Sequence, residues 1–151
     1  MLNRWIEKPD ASGGSVLEVA DDAGLGLVAF SPLAQGMLTD KYLHGVPAGS
    51  RAARGGPLRE GFLSEENLAR VRALHAVAEA RGTSLARLAL AWTLRDRRVT
   101  SVLVGARTVA QLADSLGALD EPPLTEEELA AVDAQRGDAG INIWASRSSD
   151  L

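Results

Sequence analysis

The chain has 151 residues, 46% of them hydrophobic, which suits one domain with an ordinary buried core. A net charge of −4 and a pI near 5.2 exclude the electrostatics of a nucleic-acid or anionic-membrane binder. With no cysteine and two histidines, disulfides, thiol catalysis and zinc spacings are excluded as well.

Read from its start, the chain opens without the apolar run of a secretory leader. No stretch approaches the roughly 20 apolar residues of a membrane span, so a cytoplasmic protein is the expectation. Residues 15–23 predict a short helix, with Val16, Leu17, Val19, Ala20 and Ala23 apolar and Gly24 available to end it. The apolar run 25–30 has the length of a buried parallel strand and is flanked by glycines. It breaks into a polar turn, and residues 31–63 then form a long irregular stretch rich in Gly, Pro and Arg. Loops of that length inside a compact domain are functional or disordered.

Two helices follow. Ser64 is placed to cap the first, with Glu65 and Glu66 at its positive end. Leu68, Val71, Leu74 and Val77 form its apolar stripe, and Gly82 ends it. Thr83 or Ser84 caps the second, where Leu85, Leu88, Ala89 and Trp92 share a face. Charges at 95–98 interrupt that pattern, and 99–104 reads as a second strand. Thr108 and Gln111 have capping-box spacing for the next helix, with Leu112, Leu116 and Leu119 on one face. Pro122 and Pro123 stop the chain before another capping box, Thr125 with Glu128, stapled by Leu124 and Leu129. Residues 137–151 read as an irregular tail.

Strand and helix alternation implies parallel strands with crossover helices. Only two strands are convincing, and both are apolar at nearly every position, so both faces expect cover and both edges expect partners. Two strands cannot close a barrel, and an isolated pair is not a stable sheet. Residues 1–151 therefore read as a single incomplete domain.

Two segments carry ligand chemistry. Residues 31–36 follow a strand and offer the Ser31 hydroxyl, the Leu33 backbone amide, the Gln35 side-chain amide and a close backbone approach at Gly36. The plain alternative is an ordinary strand-ending turn. Residues 105–115 leave the second strand through Gly105 and Ala106 and enter a capped helix whose free amides and dipole favour phosphate. Arg107 adds a charge at that point. Here the alternative is a capped helix with a solvated arginine. Glu126 and Glu127 are a helix-start charge pattern and not a catalytic dyad.

The run Phe30-Ser31-Pro32-Leu33-Ala34-Gln35-Gly36, the run Leu38-Thr39-Asp40-Lys41-Tyr42, the pair Ser50-Arg51, and Val104-Gly105-Ala106 with Gln111-Leu112 together resemble the aldo-keto reductases. The branch resembled is that of the potassium-channel β-subunits and their bacterial relatives, and the likeness runs from Met1 to about Val132. It implies a (β/α)8 barrel, a fold of about 250 residues in its usual form. By this likeness 25–30 matches the seventh strand, 99–104 the eighth, and Met1 to Arg4 the end of the sixth. The chain would then be a partial α/β barrel, the C-terminal two to three strand–helix units.

The resemblance also implies NADP(H) as cofactor. Phe30, Ser31, Pro32, Leu33, Gln35 and Gly36 would run along its nicotinamide and pyrophosphate. Positions matching Gly105, Arg107, Gln111, Asp114 and Ser115 would line the adenosine and 2′-phosphate. Asp114 and Ser115 depart from the family's usual Glu-Asn pair, which bears on the adenine contacts. Lys41 and Arg51 match loop positions near the cofactor phosphates, whereas Arg54 and Arg59 match none. Asp40, Lys41, Tyr42 and His44 are the residue types of the family's catalytic tetrad, but the tetrad comes from separate early segments, so this cluster is the family's loop. His75 reads as a helix-surface or packing residue. The implied parent reaction is reduction of an aldehyde or ketone, with no catalytic residue in this segment. A non-catalytic nucleotide-binding piece, a piece completing a barrel with a complementary N-terminal half, and a truncated gene product fit the same features.

Overall fold

Ser15 and Glu18 start the first helix by a reciprocal exchange. The Ser15 hydroxyl accepts the Glu18 amide at 3.2 Å, and the Glu18 carboxylate accepts the Ser15 amide at 2.6 Å. That backbone bond, ahead of the hydroxyl, pulls the Glu18 carboxyl below the usual glutamate range. The helix, α1, is Val16–Asp22, and it ends at Gly24 with φ +66°. There the Leu25 amide donates to the Ala20 carbonyl and the Gly24 amide to the Asp21 carbonyl, the paired bonds of a Schellman stop.

The computed structural model describes residues 13–43, 45, 48 and 63–136. The expectations for 1–4, Arg51, His44 and the tail 137–151 lie outside them. After α1 come β1 (Leu27–Phe30), α2 (Glu65–Arg81), α3 (Leu85–Leu94), β2 (Val99–Leu103), α4 (Val109–Leu116) and α5 (Glu126–Asp133). Short 3-10 turns occupy Ala34–Gly36, Asp40–Tyr42 and Gly117–Leu119. Ser64, Ser84, Thr108 and Thr125 each cap the helix that follows, accepting the amide three residues on. Thr125 and Glu128 complete their box. Thr108 and Gln111 do not: the Gln111 side chain reaches one residue further back, to Arg107.

The strands pair in parallel, with Leu27 beside Val99 and Phe30 beside Leu103. A bulge falls between Leu27 and Val28, where Thr100 gains room and its hydroxyl accepts the Leu27 amide at 3.2 Å. Gly26 makes that approach possible, since a Cβ there would lie 2.9 Å from the Thr100 hydroxyl. Both strands are shorter than the runs expected from sequence, which began two residues earlier in β1 and ended one later in β2.

Nine buried residues form the main core: Val71, Leu74 and Ala78 from α2, Leu85 and Leu88 from α3, Val132 from α5, and Met37, Leu38 and Tyr42. The last three belong to the stretch that reads as irregular in the sequence. They tie the chain after β1 into the α2–α3–α5 packing.

Cover on both sheet faces is not found among the described residues. The face carrying Leu27, Ala29, Val99 and Val102 is half-buried, whereas Val28, Phe30 and Leu103 on the opposite face stay exposed. Two strands with helices packed on one side leave the second face without a layer. The expected apolar face running through α4 into the following turn is exposed as well, with Leu116 at 54% and Leu119 at 69%. No closed barrel is present among the described residues, which form a small part of an α/β layer.

Candidate functional site

β1 and β2 run in the same direction, so their carboxyl ends lie side by side at Phe30 and Leu103. The two chain segments leaving them form the walls of one open cleft of about 1150 Å³. Open α/β sheets place ligands at this end of their strands, because the loops there diverge and leave backbone amides unpaired.

Residues 31–36 make the near wall. Ser31, Ala34 and Gln35 all have positive φ, at +53°, +46° and +59°, and Gly36 follows at +95°. Only the glycine takes this region without steric cost, and each of the others costs on the order of 1–3 kcal/mol. The surrounding structure holds the turn: the Ala34 amide donates to the Ser31 carbonyl at 2.9 Å, Gly36 to Leu33 at 2.8 Å and Leu38 to Leu33 at 3.2 Å. Met37 and Tyr42, fully buried just beyond, anchor it from below. The Gln35 side-chain oxygen, Oε1, is buried with no hydrogen-bond partner among the described residues, although Gln35 lines the cleft. Thr39 closes the turn by donating to the Gly36 carbonyl at 2.7 Å. The Lys41 ammonium lies 5.3 Å from the centre of the Tyr42 ring, at the rim.

The far wall is built by Val104, Gly105, Ala106, Arg107 and the start of α4. A Cβ at Gly105 would meet nothing within 4 Å, so the glycine opens space in the cleft and fills no packing role. The Arg107 amide donates to the Gln111 side-chain oxygen at 2.9 Å, and the Gln111 amide to the Thr108 hydroxyl at 3.2 Å. These bonds hold the residues before α4 against its first turn. Asp114 and Ser115 line the cleft one turn further on.

Of the residues singled out in the sequence, Phe30, Ser31, Pro32, Leu33, Gln35, Gly36, Lys41, Gly105, Arg107, Gln111, Asp114 and Ser115 all line this cleft. Only Arg51 is outside the described residues. The sequence reading missed Thr39 and Ala86, and took Ser84 for a helix cap alone. Ser84 does cap α3, but its hydroxyl also donates to the Asp114 carboxylate at 2.9 Å. Thirty residues separate those two, and no spacing rule joins them. Tyr42 is buried in the core, which removes it from the cleft surface. His75 sits half-buried on α2, its ring nitrogens 3.8 Å from Asp40 and 3.5 Å from Glu79. Among the described residues no three acidic or histidine side chains converge as a metal site, and no helix is long and apolar enough to cross a membrane.

The model of the Aldo/keto reductase family matches residues 11–136 of this chain. The chain is similar to L-glyceraldehyde 3-phosphate reductase of Escherichia coli O157:H7, 43% identical over 152 residues, which is 98% of the chain and 42% of the relative. The protein of that name from Escherichia coli strain K12 is 41% identical with the same coverage. A probable voltage-gated potassium channel subunit beta of Oryza sativa subsp. japonica is 41% identical over 109 residues, 70% of the chain and 33% of the relative. The chain spans less than half the length of these curated relatives.

Proposed function

The chain belongs to the aldo/keto reductase family, and from that premise we propose that the cleft between residues 30–41 and 104–115 binds NADP(H). The supporting observation is the strained 31–36 turn facing the capped start of α4 across one cleft at the carboxyl ends of two parallel strands. Members of this family generally use NAD(P)H, and the donors present suit a dinucleotide. Gln35 has a buried oxygen without a partner, Gly105 leaves open space, and Lys41 and Arg107 supply positive charge near the two walls.

In this reading Phe30, Ser31, Pro32, Leu33, Gln35 and Gly36 hold the nicotinamide and pyrophosphate end. Gly105, Arg107, Gln111, Asp114 and Ser115 form the adenosine and 2′-phosphate end, with Lys41 and Arg51 reaching the phosphates from the loop. When bound, the cofactor supplies hydride for reduction of an aldehyde or ketone. The residues of this chain bind and orient it; none is assigned a proton-transfer step. We place the chain in the C-terminal portion of such a reductase, in the cytoplasm. L-Glyceraldehyde 3-phosphate, named in two relatives, is the first carbonyl to try.

Fluorescence titration of the purified chain with NADPH tests the site. Saturable binding is the expected result, with NADH weaker than NADPH and Arg107→Ala weakening NADPH by about tenfold, the cost of one charge-assisted contact. Absence of saturable binding up to millimolar NADPH would overturn it.

The uncovered sheet face favours a second reading, in which this chain completes a barrel with a complementary N-terminal half. Val28, Phe30 and Leu103 then pack against strands supplied by that half. Co-expression with an N-terminal aldo/keto reductase half-barrel should bury them and yield a soluble complex. Purification of the two pieces as separate species would sink the idea.

A further inference from the structure

We infer that Arg87, Ser84 and Asp114 form a latch between α3 and α4 that sets the far wall of the cleft, with Asp114 a positioning residue and not a nucleotide contact. The inference rests on the dinucleotide reading of the cleft and changes the part Asp114 plays in it.

Both carboxylate oxygens of Asp114 are engaged from α3. Its Oδ1 accepts from Arg87 Nε at 2.7 Å, and its Oδ2 accepts from the Ser84 hydroxyl at 2.9 Å. Arg87 Nε also reaches the Asp114 carbonyl at 3.1 Å, so a single side chain grips both the backbone and the side chain of α4. Ser84 holds the other end of the arrangement, because its oxygen simultaneously caps α3 by accepting the Arg87 amide at 3.1 Å. Bonds to both oxygens fix the orientation of the carboxylate and match its charge with a guanidinium, which makes holding α4 in place the role assigned to Asp114.

Gly117 is independent support for the same arrangement. Its φ of −58° is ordinary helical geometry, so conformation does not require glycine there. A Cβ would instead lie 2.6 Å from Arg87 Cζ and 2.8 Å from Nη2, so the guanidinium keeps this place only beside a residue without a side chain. The guanidinium lies flat over a position with no side chain. Glu121 places a second carboxylate 3.8 Å from Arg87 Nη1.

The latch has a consequence at the cleft. Asp114 is one turn beyond Gln111, whose side chain holds the Arg107 amide. Fixing Asp114 on α3 therefore fixes where α4 begins and where Arg107 stands. The wall keeps its cationic residue at the rim while its acid is held on α3, paired with Arg87.

A double-mutant cycle with Arg87→Ala and Asp114→Ala tests this in the whole chain, with Gly117→Ala as a third variant that displaces the Arg87 guanidinium while leaving both partners' identities unchanged. Two readouts are taken: amide exchange at Arg107 and Gln111 without nucleotide, and NADPH affinity. Each variant should speed exchange at those two amides by about tenfold, with the double variant no worse than either single one. Amides of α2 should be unaffected, which separates loss of the latch from loss of folding. NADPH binding should weaken by the same non-additive pattern, and Asp114→Asn, which keeps an acceptor for Arg87, should recover most of it. Additive losses of NADPH affinity would mean that Asp114 touches the nucleotide and would overturn the inference. So would unchanged exchange in all three single variants. Coupled exchange in a chain that binds no NADPH would support the latch and overturn the dinucleotide reading instead.

Discussion

Three residues of the 31–36 turn carry backbone strain that their identities do not announce. Ser31, Ala34 and Gln35 are not turn glycines, yet all three occupy the left-handed region. Pro32 and Gly36 mark the turn in the sequence, but the strain at the other three positions shows only in the backbone angles, with Met37 and Tyr42 buried just beyond. Gly82 is the opposite case, legible at once as a helix stop and found at φ +76° with open space around it. Gly82→Ala should therefore destabilise by about 1–2 kcal/mol through conformation alone, measured by urea unfolding. Asp96 offers a pH test. Hydrogen bonds from the Arg98 side chain, at 2.9 and 2.6 Å, outweigh burial and hold its carboxyl at about 2, against an ordinary 3.8. A depressed folded pKa stabilises above the unfolded value and is lost as pH falls from 3.8 toward about 2. The stability gap between the wild-type chain and Asp96→Asn should be constant near neutral pH and close across that window, as followed by thermal melts.

At the level of elements, local signals were the most legible. Helix starts at Ser64, Thr108 and Thr125 were each readable from a hydroxyl residue placed before an apolar run, and all three accept the amide three residues on. The Ser15–Glu18 box carries the same signal for the helix expected at 15–23. Thr125→Ala should cost about 1 kcal/mol in a denaturant titration, because the Glu128 amide loses its hydroxyl acceptor while the Thr125 backbone amide still donates to the Glu128 carboxylate. Residues 37–42 fall within the stretch that reads as long and irregular in the sequence. Met37, Leu38 and Tyr42 follow neither a helical nor a strand period, so their burial has no local signature. Met37→Ala should lower stability by about 2–5 kcal/mol and increase exchange throughout the 31–36 turn, since the cavity opens directly beneath it.

For the molecule as a whole, the exposed apolar surface is the dominant physical fact. Among the described residues the sheet face with Val28, Phe30 and Leu103 lies open, as do Leu116 at the end of α4 and Leu119 in the turn after it, and strands with free edges seek partners. The isolated chain should associate with rising concentration in sedimentation velocity. Leu116→Lys with Leu119→Lys should reduce that association while changing unfolding free energy by no more than about 0.5 kcal/mol per site, because neither side chain is buried. By itself the sequence determined the helix boundaries, the parallel pair and the two segments that meet at the cleft, because caps, strand runs and turn residues act over a few neighbouring positions. Tertiary structure alone decided which face of the sheet is covered, how the 31–36 turn is strained, and that Asp114 faces Arg87 and Ser84. Each of those depends on groups brought together from distant parts of the chain, where packing and charge outweigh any local preference.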